Sequence, residues 1–101
     1  MLGALLVPAA RNTARTHHLI RFILYSRSYC HLCDDMLHAL QAMPEASGFA
    51  IEVVDVDADA ALVGAYDELV PVLVGMDAGG ASRQLCHYFL DHQAVKAFLA
   101  G

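Results

Sequence analysis

Tyr25-Ser-Arg-Ser-Tyr-Cys-His-Leu-Cys33 is the stretch on which the reading of the chain turns. Upstream, His18-Leu-Ile-Arg-Phe-Ile-Leu-Tyr25 is a short, nearly continuous run of apolar, β-branched and aromatic residues, interrupted by Arg21. Such a run predicts a strand buried on both faces, at the centre of an α/β sheet. Ser26 to Tyr29 is polar and turn-like. Downstream, Cys33, Met36, Leu37, Leu40 and Met43 recur at three- and four-residue steps until Pro44 and Gly48 stop the pattern. That spacing predicts an amphipathic helix of about three turns from Cys33.

Cys30-His31-Leu32-Cys33 therefore stands where a strand hands over to a helix. Free backbone N–H groups and the positive end of the helix dipole favour an anion there, so a thiol in the first turn is biased toward thiolate. Two cysteines three residues apart at a helix start can also close a disulfide. Cys30 can then attack a substrate disulfide, and Cys33 can resolve the mixed intermediate. Cys30 precedes the helix proper and is expected to be the more exposed, with Cys33 leaning inward. Asp34 and Asp35 oppose the thiolate, while Arg27, as a thiolate or carboxylate partner, and a protonated His31 favour it. The balance predicts a modestly lowered Cys30 pKa, suited to a reductant or exchanger more than to a strong oxidant.

The rest of the chain supplies the frame. Phe49-Ala-Ile-Glu-Val-Val-Asp-Val56 predicts a second strand, and either Asp57 or Asp59 can cap the helix after it, with Leu62, Tyr66 and Leu69 on one stripe. Val70-Pro71-Val-Leu-Val74 reads as a third strand carrying a proline, which cannot donate to a ladder. Gly75 to Ser82 reads as a hairpin loop to a fourth strand near Arg83–Phe89, and Asp91 as the cap of a last helix with Val95, Phe98 and Leu99 inward. The order is β-α-β-α-β-β-α. Crossover connections make the first two strands parallel and the hairpin makes the last two antiparallel. The expected architecture is a three-layer α/β/α sandwich around a four-stranded mixed sheet.

The segment Tyr25–Cys33 resembles the active-site segment of the glutaredoxins. A strand ends in an aromatic residue and Ser, a basic residue stands three before the first Cys, and Tyr precedes it. Cys30, Leu32, Cys33 and Asp34 are similar to the C-x-L-C-D run of a small bacterial glutaredoxin-like family, and the likeness covers about residues 18–100. It implies a thioredoxin-like fold and a thiol–disulfide oxidoreductase, with Cys30 as nucleophile and Cys33 as resolving thiol. It further implies a cis-proline at Pro71, whose neighbour Val70 pairs through its backbone with an extended substrate. Read from its place before Cys30, Tyr29 either shields the sulfur on the substrate-binding side or packs on the loop. The chain departs from thioredoxins in having Leu24 where they carry an acid, and no Trp. It departs from glutaredoxins in Leu32, in Leu69, and in having Leu90-Asp91-His92 where their Gly-Gly-x-Asp element falls. Arg27, Val70 and Asp91 are the positions that still match glutathione contacts. The implied partners are a disulfide-containing protein or a small thiol substrate, with electrons from a reductase or from glutathione; no bound cofactor is required.

Composition limits the alternatives. The 101 residues suffice for one core, so residues 1–17 are expected to be a loose N-terminal extension and 18–101 the domain. Six Lys+Arg against eleven Asp+Glu leave a net charge of −5 with scattered basic residues, arguing against a nucleic-acid or anionic-membrane surface. The apolar run Met1 to Ala10 is shorter than the roughly 20 residues a bilayer requires. Three cysteines do not make a secreted disulfide framework, so a reducing, cytoplasmic location is expected. Cys86 reads as a small buried apolar residue. Together with Cys30, Cys33 and His87 it has zinc or iron–sulfur ligand types, but adjacent strand residues such as Cys86 and His87 point to opposite faces. Asp55, Asp57 and Asp59 lack the glycine and glutamate of a calcium loop and read as a capped turn. The different-class alternative is a binding module or redox sensor that keeps the fold without turnover.

Overall fold

The computed structural model describes residues 20–101, so the expectation of a loose extension over 1–17 lies outside the described residues. The elements are β1 (Arg21–Ser26), α1 (His31–Gln41), a 3-10 turn (Pro44–Ala46), β2 (Ala50–Asp55), a second 3-10 turn (Val56–Ala58), α2 (Ala60–Tyr66), β3 (Val72–Met76), β4 (Ser82–His87) and α3 (His92–Ala100). The strands form one sheet ordered β2-β1-β3-β4. β1 pairs parallel with β2 and antiparallel with β3, and β3 pairs antiparallel with β4. No helix among the described residues is long and apolar enough to cross a membrane.

Period-two alternation along β1 and β3 builds two cores. Phe22, Leu24 and Leu73 face one side and pack with Met36, Leu40, Val95 and Phe98 of α1 and α3. Ile23, Val72 and Val74 face the other and pack with Tyr25, Val54, Tyr66 and Leu69 around α2. Burial on both faces is what the nearly continuous apolar run of β1 required. The blemish, Arg21, opens the strand at its exposed end and reaches Glu52 of β2 at 3.5 Å.

Several boundaries differ from the sequence reading, each for a local reason. α1 begins at His31 because Cys30 itself is the N-cap, and it ends at Gln41 ahead of Met43, which is buried just outside the helix. Pro71 stands before β3 instead of within it. The strand starts one residue later, so no ladder donor is missing, and it runs on through Gly75 and Met76. The hairpin loop shrinks accordingly: Asp77 Oδ1 accepts from the N–H groups of Gly79 and Ala81 at 2.9 and 3.0 Å. β4 stops at His87 because Tyr88 turns to φ 64°, with Phe89 N–H donating to His87 O at 2.7 Å. A register shift opposite Leu73/Val74 inserts Leu85 as an extra residue, so Leu85 and Cys86 both pack on the α1–α3 core.

Gly75 is needed for close approach. A Cβ there would lie 2.6 Å from Cε2 and Cζ of Phe98, whose ring also meets Phe22 at 5.8 Å and carries the Arg83 guanidinium at 5.4 Å. Gly75→Ala is therefore expected to push α3 off the sheet and lower stability by about 1–3 kcal/mol, read from urea unfolding midpoints.

Candidate active site at the dithiol end of the sheet

The C-terminal ends of β1, β2 and β4 and the N-terminal end of β3 lie at one edge of the sheet, since Ser26 pairs with Asp55, Tyr25 with Val72, and Val72 with His87. Four connections converge there: 27–30, 56–59, 67–71 and 88–91. Tyr29 takes a left-handed backbone (φ 57°), and its side chain is fully exposed beside Cys30. Left-handed conformations are costly for a residue with a Cβ, and they cluster where the surrounding structure imposes them for function.

Cys30 caps α1 with extended backbone, and its Sγ accepts a hydrogen bond from Cys33 N–H at 3.1 Å. The two sulfurs lie at disulfide-bonding distance, with Cα atoms 5.2 Å apart. Cys30 is half-buried, whereas Cys33 is 2% exposed. The amide that bonds Cys30 Sγ is one of the unpaired donors of a helix N-terminus, and a donor to sulfur favours its anion once the disulfide is opened. His31 is exposed in the first turn beside Cys30, and Asp34 lies in that same turn.

Across the edge, the Val70–Pro71 peptide is cis and Pro71 is buried. Val70 N–H donates to Tyr66 O at 3.2 Å, so its amide is already engaged within the chain. Pro71 O accepts from Tyr88 N–H at 2.9 Å, and Tyr88 Oη donates to Glu68 O at 2.6 Å. Tyr88 thus ties the end of β4 to the segment before β3. The sequence offered no signal for that role, because it depends on a backbone turn that tyrosine rarely adopts.

Arg27 has carboxylate partners. Its Nε and Nη2 donate to the Asp57 carboxylate at 3.3 and 2.8 Å, and Nη2 also donates to Asp67 Oδ1 at 2.8 Å. Nη1 reaches Asp67 O at 3.4 Å. Hydrogen bonding to Asp57, then to Asp67, raises the guanidinium pKa above its ordinary value. Of the three acids in the turn, Asp55 accepts from Asp57 N–H at 2.9 Å and Asp59 caps α2 through Ala61 N–H at 2.8 Å. That leaves the Asp57 side chain to Arg27. Asp91 caps α3 by accepting from Ala94 N–H at 3.0 Å. Among the described residues no group of three or more His, Cys, Asp or Glu side chains is placed to hold a metal ion. A 230 Å³ recess beside the site is lined by Ser26, Arg27, Ser28, Val53 and Asp55. A larger one of 540 Å³ lies at the other end of the sheet, between the β3–β4 turn and α3, away from the sulfurs.

Cys86 is half-buried, and burial raises its thiol pKa above the ordinary 9.0; a backbone hydrogen bond from Asp91 lowers it in part, and the Asp91 charge adds to the rise. The folded state therefore prefers the neutral thiol. Stability from this group is complete below pH 9 and is lost as pH climbs through the raised folded value. Tyr25 is likewise raised, mainly by burial, in wild type and variant alike. Between pH 7 and pH 10, wild type should lose more thermal stability than Cys86→Ala, and equal losses would contradict the assignment.

The sheet order, the helices on both faces and a cysteine pair heading the helix after β1 are those of the thioredoxin fold, in a form suited to redox chemistry. More narrowly, the chain belongs to the family described as Glutaredoxin-like domain (DUF836), whose model matches residues 21–100. Among solved structures it is similar to protein Ne2328 from Nitrosomonas europaea, at 34% identity over 78% of this chain and 89% of that one, with a TM-score of 0.67. Protein XcR50 from X. campestris matches at 35% identity over 78% and 95% of the two chains, with a TM-score of 0.53. The oxidised thioredoxin of Plasmodium falciparum shares the fold at 11% identity over 91% and 88%, with a TM-score of 0.52. No curated protein matches the chain.

Proposed function

We propose that this protein is a thiol–disulfide oxidoreductase of glutaredoxin-like type, working on protein or small disulfides through Cys30 and Cys33. The observation that carries this reading is the Cys33 N–H bonded to Cys30 Sγ at the head of α1, with Cys33 buried directly behind. In the reduced protein the Cys30 thiolate attacks one sulfur of a substrate disulfide. A Cys30–substrate S–S bond forms, and the substrate's other sulfur leaves as a thiolate that takes up a proton. Cys33, losing its proton to solvent, then attacks Cys30 Sγ. The Cys30–Cys33 bond forms, the second substrate thiol departs, and two electrons have passed to the substrate. A reductase or glutathione in a reducing, cytoplasmic setting returns them. Tyr29 and the Val70 backbone flank the path of an extended substrate, and no bound cofactor enters the chemistry.

The test is insulin reduction driven by dithiothreitol. Turnover well above the dithiothreitol background is expected. A rate equal to background, there and with a glutathione mixed disulfide, would overturn the proposal in favour of a binding module or sensor.

A further inference from the structure

Arg27 is the one Lys or Arg among the described residues in the four connections at the dithiol end, which also carry Asp57, Asp59, Asp67, Glu68 and Asp91. The other described cations stand elsewhere: Arg21 opens β1 beside Glu52, Arg83 lies over Phe98, and Lys96 on α3 reaches Glu45 at 3.7 Å. A carboxylate-bearing substrate approaching Cys30 therefore has a single guanidinium to meet, and its Nη2 already lies 2.8 Å from both Asp57 and Asp67. One positive charge held between two negative ones presents a net negative field to an incoming anion. Asp57 and Asp67 have no other hydrogen-bonded side-chain partner among the described residues, and they come from connections 30 and 40 residues away from Arg27 in sequence. Their side chains are about half exposed, at 52% and 51%, so their charge is felt by an approaching molecule.

We infer that Asp57 and Asp67 are specificity-determining residues: by holding Arg27 they withhold it from anions and direct the dithiol toward polypeptide disulfides of neutral or basic surroundings, away from small carboxylate-rich disulfides such as that of glutathione. This rests on the proposed exchange activity for its biological sense, but its chemistry can be read without turnover. The exposed apolar surface agrees with a polypeptide substrate, since Tyr29, Leu32, Tyr88 and Phe89 are exposed in or next to the connections at this edge.

The experiment alkylates Cys30 in a Cys33→Ser, Cys86→Ser protein with neutral iodoacetamide and anionic iodoacetate, comparing Asp57 and Asp67 with their asparagine replacements singly and together. Asparagine keeps an oxygen acceptor for Arg27 and removes the charge. The iodoacetate-to-iodoacetamide rate ratio is expected to rise about three- to tenfold in Asp57→Asn/Asp67→Asn at low salt, and the gain to shrink as salt screens it. In the otherwise wild-type chain, the ratio of glutathione mixed-disulfide reduction to insulin reduction should rise in parallel. A flat alkylation ratio, or a rise that salt does not diminish, overturns the inference even if insulin is turned over. A rising ratio in a chain that never exceeds the dithiothreitol background supports the inference and overturns the proposed function instead.

Discussion

Cys30→Ser is expected to abolish disulfide exchange, lowering insulin reduction by at least about a thousandfold, as loss of an enzyme's nucleophile does. A serine hydroxyl at the same N-cap would still accept the Cys33 N–H, so the helix keeps its cap and the loss reports chemistry rather than folding. Cys33→Ser separates the two halves of the cycle. Its Cys30 can still attack, but with no second thiol in reach the mixed disulfide waits for an external thiol. Mass spectrometry after exposure to glutathione disulfide should therefore find one glutathione on Cys33→Ser, in slow amounts if anions are disfavoured, and none at position 30 of Cys30→Ser. Cys86→Ser should turn over like wild type, because Cys86 is outside the Cys30–Cys33 pair and packs on the α1–α3 core. Residual exchange in Cys30→Ser comparable to wild type would reassign the nucleophile.

How much of this was legible beforehand follows from the range over which each feature is determined. Cys30 and Cys33 could be placed at a strand–helix junction because the apolar run before them and the three- and four-residue spacing after them are local patterns. Asp91 as a cap is likewise local, and the structure has it bonding Ala94 N–H. Pro71 was visible as an anomaly within a strand, but not that the strand begins after it, since that is settled by pairing with Tyr25 and His87. Arg27 was recognised as a charge near the thiol. Which carboxylates it meets depends on how the turn after β2 and the end of α2 are brought to the same edge, and no spacing in the chain encodes that. Asp57 was read with Asp55 and Asp59 as one capped turn. Only two of the three proved to bond turn or cap amides, and a lone arginine in an otherwise acidic set of connections was the available hint. Tyr88 was hidden because its φ of 64° contradicts the preference of a residue with a Cβ, so propensity pointed to continued strand.

Phe22→Ala is expected to be the most damaging single substitution for stability, at about 3–5 kcal/mol by urea unfolding. Phe22 is fully buried near the start of β1, with the Phe49 ring edge-on at 6.3 Å and the Phe98 ring at 5.8 Å. Truncation removes an aromatic partner from both rings and opens a cavity that cannot easily collapse. The backbone around it is fixed by pairing with Ile51 on one side and Gly75 on the other, and Phe98 already lies against Gly75. Domains of this size are stable by only about 5–15 kcal/mol, so the loss would remove a large fraction of the total. The control on the opposite face is Ile23→Val, where one methylene is lost beneath the thinner cover of α2 and a cost of about 0.5–1.5 kcal/mol is expected. The contrast matters for the chemistry because β1 delivers the Cys30 loop. If the core around Phe22 holds that strand in place, Phe22→Ala should also speed alkylation of the buried Cys33 in the reduced protein, in proportion to the stability lost, while Ile23→Val should hardly alter it. Equal costs for the two substitutions would mean that the α1–α3 core is not what anchors the strand.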